Sequence, residues 1–334
     1  MPEMSGQNVA GMRTVPFTVH NAFSQWSFSI FPLCVLAVLV LIGCWYLRAD
    51  WALASRGRRW SGYRRAAFFA GLVAVDLAFQ SSISVFANSY FQAHIIQHLM
   101  LMVVAPPLLA LGAPSTLLLQ TASRTTKERW LGILRSRPFA VISHPLVVGF
   151  LYYGVMFIFF LTSLINVAMW HMGLMDAINV LFLCGGALFW WPMVGVDPIV
   201  HWKMSHPARM FNIILGSGIE AFLGVAIIAD SHPLASMYTL ASTHAGGALL
   251  WTSTEAVTLG AFLPIYLQWS HSEDRIAARA DRAADLRSLA HAKGMAVAPP
   301  ERPVAADGQP RRLTPWEAEW FARTGSVPHN SGAS

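Results

Sequence analysis

The chain has 334 residues, of which 55% are hydrophobic and only 12% charged, and its mean hydropathy is +0.47. That balance excludes an ordinary soluble domain and points to a polytopic membrane protein. The formal charge of +6 does not indicate nucleic acid, because the basic residues are dispersed among loops that alternate with apolar runs, which is the pattern of topology determinants.

Residues 1–26 are polar and lack the charged start and small-residue cleavage site of a secretory signal, so they are expected to remain as an extracytoplasmic segment before a retained first span. Seven apolar segments follow, near Ser27–Leu47, Ala66–Phe86, Tyr90–Leu111, Leu146–Ile165, Ala177–Val196, Arg209–Ala229 and Ala245–Gln268. Each is about the 20 residues that a ~30 Å hydrocarbon core requires. The expected fold is therefore all-α, with seven transmembrane helices over residues 27–269 and a cytoplasmic tail over residues 270–334.

Orientation follows from charge. One set of loops holds Arg48, Arg56, Arg58, Arg59, Arg64 and Arg65, then Arg124, Lys127, Arg129, Arg135 and Arg137, then Lys203, while the alternate loops hold neither lysine nor arginine. The positive-inside rule puts the N-terminus outside and the C-terminus in the cytoplasm. From Ser272 the tail reads as a charged helix to about Lys293, then a Pro-rich, partly disordered linker, then a short helix capped by Thr314, Pro315 and Glu317. Cys34, Cys44 and Cys184 fall inside spans with no CxxC pair, and read as small apolar packing residues.

The third segment is the informative one. Its sequence from Ser89 to Pro114, SYFQAHIIQHLMLMVVAPPLLALGAP, carries His94, Gln97 and His98 where lipid-facing helices carry leucine. At about 100° per residue these three share one helix face. Ionisable groups inside a membrane are costly and point into a bundle, so the pair is a candidate site, and two imidazoles at i and i+4 suit one metal ion. Met102 lies about 40° from His98 around the helix and adds a soft donor. Pro106 and Pro107 remove two backbone donors and predict a kink or break below the histidines, with carbonyls near Met102 and Val103 left for neighbouring helices. Gly112, Ala113 and Pro114 mark the end.

Topology sorts the other histidines. His171, His232 and His244 lie in or beside outer loops, whereas His144, His201, His206 and His271 lie on the inner side and read as solvated or headgroup-contacting residues. The outer loop Asn166–Asp176, NVAMWHMGLMD, brings Met169, His171, Met172 and Met175 within a few residues of one another. Thioether with imidazole is a ligand set for copper, Cu(I) especially, and equally an ordinary interface packing pattern. Asp76, Glu220 and Glu255 lie deep and must be protonated, paired or hydrated, serving either as a proton path or as helix-to-helix hydrogen bonds.

These residues resemble the CtaG family of bacterial cytochrome c oxidase assembly factors over about Arg56 to Gln268. The most specific part is AHIIQHLMLMVVAPPLLALGAP from Ala93 to Pro114, supported by His144–Pro145, the run Phe182–Pro192 ending GALFWWP, and Gly246–Gly247 through Trp251 to Glu255. The chain departs from the family at Asn179, where histidine is frequent, and at Ser242, Thr243 and His244, where an Asp-Gln-Gln run is frequent. The resemblance implies a multi-pass protein of the bacterial plasma membrane with a non-enzymatic part in oxidase maturation. Its partners would be oxidase subunits and the bilayer, with copper handled at the outer face. In that reading His94 and His98 are ligands, Gln97 orients an imidazole or a water, and His171 or His244 completes the shell. The alternatives are a membrane redox protein with b-type haem and a copper or proton transporter using Asp76, Glu220 and Glu255.

Overall fold

The computed structural model describes residues 24–198, 201–202 and 204–292. Residues 1–23 of the segment expected to be extracytoplasmic, the expected Pro-rich linker and the short helix expected to be capped by Thr314, Pro315 and Glu317 lie outside the described residues. The described residues fall into two compact units, one within residues 24–204 with 212–259 and one within residues 205–211 with 260–292.

The described residues are helical and contain no strand. In chain order the helices are α1 (Ile30–Ala54), α2 (Gly62–Gln80), α3 (Ser82–Ala87), α4 (Phe91–Leu99), α5 (Ala105–Leu111), α6 (Pro114–Thr121), α7 (Arg124–Leu134), α8 (Arg137–Ile142), α9 (Pro145–Gly149), α10 (Val155–Leu161), α11 (Leu164–Trp170), α12 (Met172–Val194), α13 (His206–Ala229) and α14 (Leu240–Ala292). Two π-helical turns, Met100–Val104 and Phe150–Gly154, join α4 to α5 and α9 to α10.

Among the described residues, five helical stretches are long and apolar enough to cross a membrane: Ile30–Ala54, Phe91–Thr121, Met172–Val194, His206–Ala229 and Leu240–Leu286. A sixth is added if Pro145–Leu161 and Leu164–Trp170, which meet at a bend of 79°, count as one span. The expected second span differs from this set. Helix α2 has the required length, but it carries Arg64, Arg65 and Asp76, and the chain turns at Ser81 before the short α3.

Helix α1 is apolar up to Leu47, and most of its buried residues lie in its second half. Tyr46, Ala49 and Leu53 pack on Phe68 and Leu72 of α2 and Leu117 of α6. The Tyr46 ring stacks on Phe68 at 4.0 Å, its hydroxyl donates to the Gly112 carbonyl at 2.8 Å, and it accepts from Trp60 Nε1 at 2.8 Å. An Arg65–Asp50 ion pair at 2.8 Å closes the same end of the α1–α2 pair.

Beyond Gly112 the chain turns as expected at Gly-Ala-Pro. Ala113 takes φ of 50°, the left-handed region, and Pro114 starts α6. The first turn of α6 needs an outside cap, which Asp197 supplies from the segment after α12. Its carboxylate accepts from Ser115 N at 3.0 Å, Thr116 N at 2.8 Å and Thr116 Oγ1 at 2.5 Å. Burial pushes this carboxyl up from the ordinary aspartate range, and the bonds from Thr116 and Ser115 oppose that shift.

The kink or break expected below the histidines takes the form of a π turn and not of an interruption at Pro106–Pro107. The chain widens into the π turn one turn earlier, with Ala105 N–H bonded to the Met100 carbonyl, and both prolines then fall in the first turn of α5, where a missing donor costs little. The Met102 carbonyl meets Gly186 of α12, where a Cβ would stand 2.8 Å from that oxygen and 2.9 Å from the Pro106 ring. The cysteines also differ from expectation. Cys34, Cys44 and Cys184 are free and exposed, on the outward faces of α1 and α12 rather than in the core.

The α12 crossing yields a prediction. Gly186→Ala drives a methyl into backbone and should cost about 1–3 kcal/mol, lowering the melting temperature in detergent. Gly173→Ala, in the same helix with nothing within 4 Å of its added Cβ, should leave melting unchanged or raised. Equal losses in both would remove the close crossing as the reason for glycine at position 186.

Candidate functional site

Helix α4 positions the histidines. No side chain of its own caps it, so its first amide depends on a distant residue: Ser242 Oγ of α14 accepts from Phe91 N at 2.8 Å and donates to Gln92 Oε1 at 2.6 Å. The Phe91 ring fits over Gly246, where a Cβ would come within 2.2 Å of it. That close approach fixes α14 against the start of α4.

His94, Gln97 and His98 are all buried, at 1%, 4% and 3% exposure. His94 lies parallel to Phe91 and to Phe159, with centroids 6.1 and 5.8 Å away. His98 meets the Phe182 edge at 4.6 Å and the rings of Phe159 and Phe160 at 5.6 Å. Phenylalanine offers no hydrogen bonds, so the two imidazoles satisfy each other, Nε2 to Nε2 at 2.6 Å.

Proton positions in this pair follow from its neighbours. The Tyr238 hydroxyl donates to the Ala87 carbonyl at 2.7 Å and lies 3.0 Å from His94 Nδ1. Having one proton, committed to the carbonyl, Tyr238 accepts from His94 Nδ1–H. His94 Nε2 is then the acceptor and His98 Nε2–H the donor. His98 Nδ1 is left with a bare lone pair, and it is buried without a hydrogen-bond partner.

The remaining candidates are distributed differently from the expected ligand shell. Gln97 Nε2 donates to the Ala78 carbonyl of α2 at 2.8 Å, so its amide ties two helices together rather than orienting an imidazole. Met102 is buried and shares a cavity with His98. His171 is exposed at the α11–α12 junction, with Nδ1 2.9 Å from the Val167 carbonyl of its own turn. The Asn166–Asp176 stretch is thus two helix ends rather than an open loop. His244 Nε2 lies 2.9 Å from the Asp230 carbonyl. Neither His171 nor His244 joins the pair, and among the described residues no group of three or more His, Cys, Asp or Glu converges on a metal-holding point. From the methionine-rich stretch it is Met169 that comes near, its Sδ 3.4 Å from the Tyr238 hydroxyl.

The deep acids also separate. Glu220 is buried and accepts from Thr254 Oγ1 at 2.8 Å, Asp76 Oδ1 is buried without a partner, and Glu255 is exposed on α14. Tyr238 was not singled out in the sequence, since a tyrosine in an irregular segment has no periodicity to mark it, and Ser242, noted there only as a departure from the family, bonds to the start of α4. His144, expected to be solvated, caps α9 by accepting from Leu146 N at 3.2 Å.

At metal–nitrogen lengths of about 2.0–2.1 Å, tetrahedral ligation separates two nitrogens by about 3.3 Å. The Nε2 atoms at 2.6 Å are therefore closed on a proton, and one ring must turn for both to hold an ion. A haem plane does not fit between nitrogens so placed. The proton assignment gives a direct prediction: Tyr238→Phe removes the hydroxyl that bridges the Ala87 carbonyl and His94 Nδ1–H and should cost about 1–3 kcal/mol, read as a lower melting temperature in detergent. No change would mean that the hydroxyl does not anchor His94.

The family model described as cytochrome c oxidase caa3 assembly factor (Caa3_CtaG) matches residues 44–272. Uncharacterized proteins of Mycobacterium bovis, Mycobacterium tuberculosis and Mycobacterium leprae are each 27% identical over 289 residues, covering 81% of this chain and 43% of theirs. The chain thus spans less than half the length of these curated relatives. No solved structure matches it. With the matched residues running from the middle of α1 into α14 and spanning the buried histidine pair, the chain belongs to the caa3-type cytochrome c oxidase assembly factor family.

Proposed function

We propose that the protein is a non-enzymatic, multi-pass assembly factor of the bacterial plasma membrane that takes up copper at its outer face and passes it to a cytochrome c oxidase subunit. The observation that carries this reading is the His94–His98 pair, two neutral-capable ligands sealed in an aromatic box on the helix that bears the family's most specific motif. Imidazole is a good ligand for copper, and the buried thioethers of Met102 and Met169 near the pair favour the Cu(I) state.

In this reading α2 is the seventh span, with its two arginines at one end and Asp76 half-buried, its Oδ1 covered. The basic loops face the cytoplasm, the N-terminus and the α11–α12 junction face outward, and residues 270–334 form a cytoplasmic tail. Opening the Nε2–Nε2 hydrogen bond exposes both nitrogens, so metal competes with one shared proton. His171, exposed beside Met172 at the outer end, serves as a first contact for the metal rather than as part of its buried seat.

His94→Ala or His98→Ala should leave the protein inserted and abundant, because alanine is at least as apolar and helix-favouring as histidine. Copper affinity should fall on the order of 10- to 100-fold, and the copper content and activity of the cognate oxidase should fall with it. Added external copper should partly restore both by mass action. Normal oxidase copper in either variant under limiting copper would overturn the reading.

A further inference from the structure

The histidine pair is closed on itself at Nε2, yet His98 is unsatisfied at its other nitrogen. Nδ1 is buried, belongs to a residue 97% sealed from solvent, and has no partner. A cavity of about 10 Å³ lies against this residue, lined in part by His98, Met102, Tyr152, Met156, Phe160 and Glu220. That is about the space one water or one monatomic ion occupies.

The backbone is specialised at this cavity. Both π-helical turns among the described residues contribute to its wall, Met102 and Val103 from Met100–Val104 and Tyr152 from Phe150–Gly154. Such turns insert one residue into an α-helix, re-aim the side chains that follow, and recur at functional sites. Here they bring a methionine from each side: Met102, 2% exposed, one turn beyond His98, and Met156, 4% exposed, one turn beyond Tyr152.

We propose that this cavity is a seat for a single Cu(I) ion, held by His98 Nδ1 and the thioethers of Met102 and Met156, with the Glu220 carboxylate as counter-charge. Two thioethers with one imidazole are a soft, low-charge donor set that selects Cu(I) over Mg²⁺, Ca²⁺ and Cu(II). A monovalent ion sealed from water needs an opposite charge nearby, and Glu220 lines the same space. The Nε2 pair of the copper reading then serves as the entry site for the ion, and at this deeper seat His98 alone of the two contributes a ligand. This inference rests on the copper reading above and adds to it Met156, Glu220 and the nitrogen that binds.

The test is X-ray absorption at the copper edge on full-length protein in detergent, loaded with Cu(I) under anaerobic reducing conditions. The expected spectrum of the wild type shows sulfur scatterers at about 2.3 Å, near a typical metal–thiolate length, together with a single imidazole. Met102→Leu/Met156→Leu conserves volume and should keep the wild-type melting temperature of the apo protein, while it removes the sulfur shell and weakens Cu(I) binding at least about tenfold. His94→Ala should retain the sulfur shell. Copper bound by nitrogen alone, or a spectrum unmoved by the double methionine variant, would overturn the cavity seat and leave the copper reading standing. Failure of the wild type to bind Cu(I) would overturn both.

Discussion

Hydrogen bonds made where no water reaches set the terms for the rest of this structure. His94 and His98 are walled by Phe91, Phe159, Phe160 and Phe182, so each polar atom on the rings depends on a partner inside the protein. The solution is a directed chain: His98 donates to His94, His94 to Tyr238, and Tyr238 to the Ala87 carbonyl at the end of α3. In a low-dielectric interior each link strengthens its neighbour, and an unmade link costs the full desolvation of a polar group. The chain runs in one direction and ends at His98 Nδ1, the atom whose lone pair is unclaimed.

Close helix approach makes that sealing possible. The α4–α5 stretch keeps its helical course past two prolines only because the π turn absorbs the missing donors and Gly186 lets α12 lie against the Met102 carbonyl. At the far end of the same stretch the Gly112 carbonyl takes the Tyr46 hydroxyl, and Asp197 caps the helix that Pro114 begins. The segment from Phe91 to Pro114 is therefore a structural hub along its whole length, holding α1, α2, α12 and α14 through side chains and backbone groups, with the histidine pair buried within it.

Much of this was legible in the residues. Helical spacing put His94, Gln97 and His98 on one buried face, and Gly-Ala-Pro marked the turn where the structure turns. Spacing fixes faces within one helix, however, and says nothing of which neighbour each face meets. Gln97 therefore went to Ala78 instead of an imidazole, and His171 and His244 found backbone carbonyls instead of the pair. The proline rule identified the freed carbonyls but not the wider turn that precedes them, because a π turn has no sequence period of its own. The span expected over Leu146–Ile165 is broken at Thr162–Ser163 by a bend of 79°, where Thr162 Oγ1 accepts from Leu164 N at 3.2 Å. Tyr238 was invisible for the reason any loop residue is: its contacts lie 144 and 151 positions away in the chain.

The central claim is that the buried histidine pair makes this family member a copper-holding protein. Anaerobic titration of the purified full-length chain with Cu(I), against a chromophoric competitor, tests it most directly. The account predicts one tightly held ion per wild-type chain and none in His94→Ala/His98→Ala. Binding of equal stoichiometry and strength in the double variant, or no binding in the wild type, would contradict it.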